Sequence, residues 1–204
     1  MPRQRSLTLV AHLPAMQLTT EFTVEPERVR PLKRSEYDRL IELGVFGDER
    51  VELIRGVLVK MSPQRAPHAS TVQKLDKILN KRLPDRFDVR IQLPLALSDD
   101  TEPEPDVAVV APGNYDAEHP STALLIIEVS DSTLRADRAK AAVHASASIG
   151  EYWIVNLSAS TVEVYTSPDG ERYAEVRTLR TGDTLQSAGL PELAIAVSEI
   201  LPKL

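Results

Sequence analysis

The chain has 204 residues, 42% of them hydrophobic and 26% charged, which suits one domain with a single packed core. A net charge of −6 argues against a broad basic face, so any contact with nucleic acid must come from a local patch or from metal-bridged phosphates. With no cysteine there is no disulfide, thiolate metal site or cysteine nucleophile, which fits a reducing cytoplasm, and no apolar run nears the ~18 residues of a membrane span.

Residues 1–31 are poorly periodic and read as an N-terminal extension to a domain over 32–204. His12 and Pro14 interrupt the apolar run after Arg3 and Arg5, so no signal peptide is expected. Ser35 is placed to cap a helix from Glu36 to Leu43 with Tyr37, Leu40, Ile41 and Leu43 inward, ended by Gly44 and Gly47. Val51–Ile54 and Val57–Met61 flank Arg55-Gly56, a tight hairpin turn. After a loop, Val72, Leu75, Ile78, Leu79 and Leu83 recur at helical spacing between His68 and Leu83, with Lys74, Lys77, Lys81 and Arg82 on the wet side. Phe87 to Leu93 alternate as a half-buried strand, whereas the runs after Asp106 and before Glu128 are continuously apolar, as in central strands covered on both faces. An alanine-rich helix from Asp137 to about Ser148 follows. Next come a hairpin (Tyr152–Leu157, Thr161–Ser167), a strand near Arg172–Leu179, and a tail of short strands and turns. This order predicts an α/β sandwich on a mixed sheet.

Asp106 begins one apolar strand after Pro105, and Glu128 ends the next. A carboxylate among apolar strand residues must be paired, hydrated or bound to metal. If the strands are neighbours, the two acids can share one divalent ion, and hard oxygen ligands suit Mg²⁺ or Mn²⁺ rather than zinc. The competing reading is that both merely cap strand ends. Lys140 lies on the following helix, where it can return over the sheet end as a point charge for water or phosphate, or simply be solvated. Glu52, in Val51-Glu52-Leu53-Ile54, is either an edge residue in water or a site residue. His68 follows Pro67 at a helix start, a place that favours anions, although most such histidines are surface residues. There is no His-x-x-x-His, glycine-rich phosphate loop or Gly-x-Ser-x-Gly elbow, and 4% aromatic residues are too few for a stacking platform.

Taken together, Arg50-Val51-Glu52-Leu53-Ile54-Arg55-Gly56, Ser62-Pro63 with His68, Pro105-Asp106-Val107-Ala108, Glu128-Val129-Ser130, Lys140 and Gly150-Glu151-Tyr152-Trp153-Ile154-Val155 resemble the Uma2 family, formerly the DUF820 domain. That family belongs to the PD-(D/E)XK, or restriction endonuclease-like, nuclease superfamily. The resemblance covers about residues 34 to 201. It implies a mixed central β-sheet flanked by α-helices, with additional β-hairpins and a metal site at the sheet end. Asp106 matches the superfamily aspartate and Glu128 the acid of the E-x-K element, whose third position here is Ser130. The matching lysine is Lys140, one residue closer to Asp137 than in the commoner Asp-Arg-x-x-Lys spacing. Arg55 and His144 stand where aspartate and tyrosine are usual.

The implied activity is that of a Mg²⁺- or Mn²⁺-dependent endonuclease acting on DNA. Asp106 and Glu128 would hold the metal, with the Val129 carbonyl as a further ligand. Lys140 and Glu52 would serve catalysis, and His68 the substrate. The expected partner is DNA in the cytoplasm, approached through Lys74, Lys77, Lys81 and Arg82 or through Arg65 and His68, with no membrane association. A homodimer stays open. The alternative is a noncatalytic nuclease-fold binding or assembly protein, a reading favoured by the acidic net charge and the displaced lysine.

Overall fold

The computed structural model describes residues 30–202, so the expected extension over 1–31 lies outside the described residues except for its last two. The elements are α1 (Arg34–Glu42), β1 (Val51–Ile54), β2 (Val57–Lys60), α2 (Ala66–Arg82), β3 (Asp88–Ile91), β4 (Val107–Val110), β5 (Leu125–Ser130), α3 (Leu134–Ser146), β6 (Glu151–Asn156), β7 (Thr161–Asp169), β8 (Arg172–Arg180), β9 (Thr184–Gln186), β10 (Ala194–Ala196) and α4 (Val197–Ile200). A six-stranded mixed sheet runs in the order β3-β4-β5-β6-β7-β8. Only β5 and β6 pair parallel. Theirs is also the one connection in this sheet that passes through a helix, as a parallel crossover requires.

Helices flank both faces. On one, Val107, Val109, Leu125, Ile127 and Trp153 pack with Val72, Leu75 and Leu79 of α2. On the other, Ala108, Val110, Ile126, Tyr152 and Ile154 pack with Ala141 and Ala145 of α3. Successive strand residues point to opposite faces, and here both faces are dry, hence the unbroken apolar runs. Burying each of the larger aliphatic side chains contributes about 2 kcal/mol.

The hairpin β1–β2 forms its own two-stranded sheet. Arg55 and Gly56 both have positive φ (50° and 74°), as a two-residue hairpin turn requires. A Cβ on Gly56 would lie 2.3 Å from that of Pro31, so glycine is required there for space as well. Leu53 and Glu102 exchange backbone hydrogen bonds of 3.2 and 2.7 Å, which fasten β1 to the chain leading into β4.

Several sequence expectations need correction. Ser35 is not the cap of α1. The cap is Lys33, whose backbone N–H donates to Glu36 Oε2 at 2.9 Å. Only Tyr37 of α1 is buried, its hydroxyl donating to the Val51 carbonyl at 2.8 Å, while Ile41 and Leu43 are 49% and 61% exposed. Periodicity gives the apolar face of a helix, not how much partner surface awaits it. α2 and α3 begin before His68 and Asp137 respectively. β3 stops at Ile91 because Gln92 turns the chain with φ 52°, leaving Leu93 43% exposed.

Candidate active site

β4 and β5 run antiparallel with Val107 opposite Ile127, so one more step of that register sets Asp106 beside Glu128 at a single sheet end. The Asp106 backbone N–H donates to Glu128 Oε2 at 3.2 Å. Glu128 has the same parity as Ile126, which sends it to the α3 face, and Lys140 of α3 meets it there. The Lys140 ammonium lies 3.0 Å from Glu128 Oε1 and 2.8 Å from Glu52 Oε1. Glu52 also accepts the Glu104 backbone N–H at 3.2 Å. From the other face His68, in the first turn of α2, brings Nε2 to 3.0 Å from Asp106 Oδ2. All five residues singled out from sequence therefore line one cavity of about 330 Å³.

Four further groups at the site carry no clear sequence signal. The Gln92 amide donates to Asp106 Oδ1 at 3.2 Å, while the Val129 backbone N–H donates to Oδ2 at 2.8 Å. In the alternation from Phe87 to Leu93, Gln92 falls on the wet side; its sole sequence signal is a polar side chain two residues before Pro94, where the strand must end. Asp137 lines the same cavity, buried, and accepts from Thr133 Oγ1 at 2.6 Å. Glu104, also on the wall, is paired with Arg50.

Burial pushes the Asp106 carboxyl up, but the His68, Val129 and Gln92 hydrogen bonds and the His68 charge outweigh it, so Asp106 sits below its ordinary value. Burial pulls His68 down and Asp106 overrides that, leaving His68 raised. Burial likewise opposes the charge on Lys140, yet Glu128 and Glu52 hold its proton far above the ordinary lysine range. Glu128 is raised by burial against the pull of Lys140, with Asp106, Asp137 and Glu52 adding to the rise. The cluster thus holds more negative charge than its one buried ammonium offsets, the state a cation or a proton relieves.

Of the basic residues on α2, Lys74 donates to the Leu201 carbonyl at 2.7 Å, and Arg82 to the Ala194 carbonyl and Glu199 at 2.6 Å each. These two tie down the C-terminal segment and do not face the cavity, whereas Arg65 and His68 do. Among the described residues no three or more histidine, cysteine, aspartate or glutamate side chains converge as a ready metal cage. No helix among them is long and apolar enough to cross a membrane.

The family model described as "Uma2: Putative restriction endonuclease" matches residues 34–198. The chain belongs to the Uma2 family. Its fold is similar to the crystal structure of "a putative nuclease belonging to DUF820" from Anabaena variabilis, with a TM-score of 0.64 at 16% identity, covering 83% of this chain and 97% of that one. No curated protein matches it. In this Uma2 chain the shortened Asp137–Lys140 spacing still delivers the lysine to the acidic pair.

Proposed function

We propose that the protein is a Mg²⁺- or Mn²⁺-dependent endonuclease that hydrolyses DNA phosphodiester bonds. The observation that carries this reading is Lys140, buried and held between Glu52 and Glu128 at the strand end shared with Asp106. The donor chemistry fits such an ion: two carboxylates of hard oxygen at one point, with water and substrate phosphate completing a shell that Mg²⁺ rarely draws from protein alone. Asp106 and Glu128 would hold it, and when bound it would polarise the phosphate and acidify a water.

The chain's own groups supply the rest. Lys140, kept as an ammonium by its two carboxylates, faces the charge that builds on the phosphoryl oxygens as water adds to phosphorus and the ester P–O bond breaks. Glu52 fixes the lysine's direction. Gln92 and the Val129 N–H fix the Asp106 carboxylate, so its orientation need not be found anew in each turnover. His68 holds Asp106 with Nε2, while its Nδ1 is itself buried and has no partner among the described residues.

A second reading, a nuclease-fold binding or assembly protein, draws on one specific observation. Every oxygen of Asp106 and Glu128 already accepts from a donor of the chain itself. Incubating purified protein with supercoiled plasmid separates the two. Cleavage that needs Mg²⁺, stops with a chelator and disappears in Asp106→Ala is the expected result. An inert wild type under all these conditions hands the site to the binding reading.

A further inference from the structure

Arg65 and Asp131 meet at the mouth of the cavity, and both line it. Arg65 is the residue from which α2 starts, three before His68, and Asp131 directly follows β5, three after Glu128. The two segments that carry His68 and Glu128 are thus bridged here by one ion pair. Arg65 donates from Nε at 2.7 Å and from a terminal nitrogen at 3.2 Å to the two oxygens of Asp131. This is the planar fork a guanidinium also offers a phosphate. The exposure is lopsided, 71% for the Arg65 side chain and 16% for Asp131. The fold fixes the carboxylate, and the guanidinium reaches across to it through solvent.

Other basic side chains among the described residues are placed differently. Lys140 is buried between two carboxylates. Arg50 is taken by Glu104. Lys60 rests on Glu49 as a point charge with no fork. Arg82 sits at the far end of α2, about 25 Å away at 1.5 Å per residue. Among the described residues, only Arg65 combines bidentate geometry, exposure and a place above Asp106 and His68. A solvent-exposed pair is weak, so a substrate anion can take the place of Asp131 at little cost.

We propose that Arg65 is a substrate-binding residue for a phosphate flanking the scissile one, and that Asp131 is a built-in stand-in for that phosphate which keeps the guanidinium extended over the cavity until a polyanion displaces it. The proposal rests on the phosphodiester reading of the site. It makes two substitutions at one ion pair act in opposite directions. Removing Arg65 deletes the phosphate contact. Removing the Asp131 charge frees Arg65 and takes away a negative group next to the incoming phosphate.

The test is equilibrium binding of the full chain to a fluorescently labelled DNA duplex in Ca²⁺, repeated across a salt series. Arg65→Ala is expected to bind about 10-fold more weakly and to lower the slope of log affinity against log salt by about one. Arg65→Lys keeps the wild-type slope while recovering only part of the affinity, since the charge survives and the fork does not. Asp131→Asn is expected to bind roughly threefold more tightly. The proposal is overturned if Arg65→Ala keeps the wild-type affinity and slope, or if Asp131→Asn weakens binding as much as Arg65→Ala, the mark of a structural latch. Failure of the wild type to bind the duplex, with or without Ca²⁺, overturns the phosphodiester reading instead and takes this proposal with it.

Discussion

Glu128 and Glu151 are both carboxylates buried to within 4% of full enclosure, on the neighbouring parallel strands β5 and β6. Glu151 opens β6 and is surrounded by neutral donors: the Trp153 indole at 2.7 Å on one oxygen, the Ser187 hydroxyl at 2.6 Å and the Ala188 and Gly189 amides at 3.0 and 3.4 Å on the other. Glu128 lies near the opposite end of the parallel pair and is met by an ammonium that a second carboxylate shares, beside a third acid that a histidine holds. The first arrangement solvates a charge with fixed dipoles and stitches the β9–β10 loop to the sheet. The second leaves a charge excess facing a cavity. Burial alone does not distinguish the two acids; the kind of partner does.

The largest effect that sharpens this contrast is expected at Lys140. Lys140→Met should slow plasmid cleavage by at least ~1000-fold, about 4 kcal/mol, because on the proposed mechanism the lost charge is one the transition state needs most. Single-turnover cleavage at saturating Mg²⁺ measures it. A loss below tenfold would place Lys140 with the structural ion pairs.

One helical turn further along α3, His144 tests the structural side. It is fully buried, neither ring nitrogen has a partner among the described residues, and its ring centre lies 4.7 Å from that of Tyr152. Burial, aided by Lys140, drives it down to about 3, so the ring is neutral at pH 7. A folded value below the unfolded one means that its contribution is whole above about pH 6.5 and is lost as pH falls toward 3. His144→Phe should remove that part of the acid sensitivity, seen in urea midpoints across this range, with cleavage at neutral pH unchanged.

The smallest expected change is at Gln92. Gln92→Ala removes one hydrogen bond to Asp106, worth about 1 kcal/mol, and should slow cleavage roughly fivefold with little change in melting temperature. An equal loss of stability and no loss of rate would reverse its assignment.

Much of this layout was legible in the chain. The unbroken apolar runs at Val107–Val110 and Leu124–Ile127 announce central strands, and the acids at their ends point to the candidate site, because a charge beside such a run has to be accounted for. The spacing of Val72, Leu75, Leu79 and Leu83 gave the buried face of α2. What stayed hidden depends on long-range geometry. Gln92 enters through a backbone reversal at φ 52°, which no alternation pattern encodes. Lys74 and Arg82 looked like free surface cations because their partners, the Leu201 and Ala194 carbonyls, lie more than a hundred residues away. Asp137 read as a helix start, and only the crossover from β5 to β6 turns it toward the cavity.

The same one-atom edit, carboxylate to amide, at the two kinds of buried acid is the most direct test. Asp106→Asn and Glu151→Gln are to be compared for Mg²⁺-dependent plasmid cleavage per folded molecule, with the folded fraction taken from urea unfolding. Asp106→Asn should stay folded and lose cleavage. Glu151→Gln, whose amide must turn an N–H toward donors, should lose about 2 kcal/mol of stability and cleave at the wild-type rate per folded molecule. Cleavage by Asp106→Asn at the wild-type rate, or its abolition in fully folded Glu151→Gln, would contradict the account.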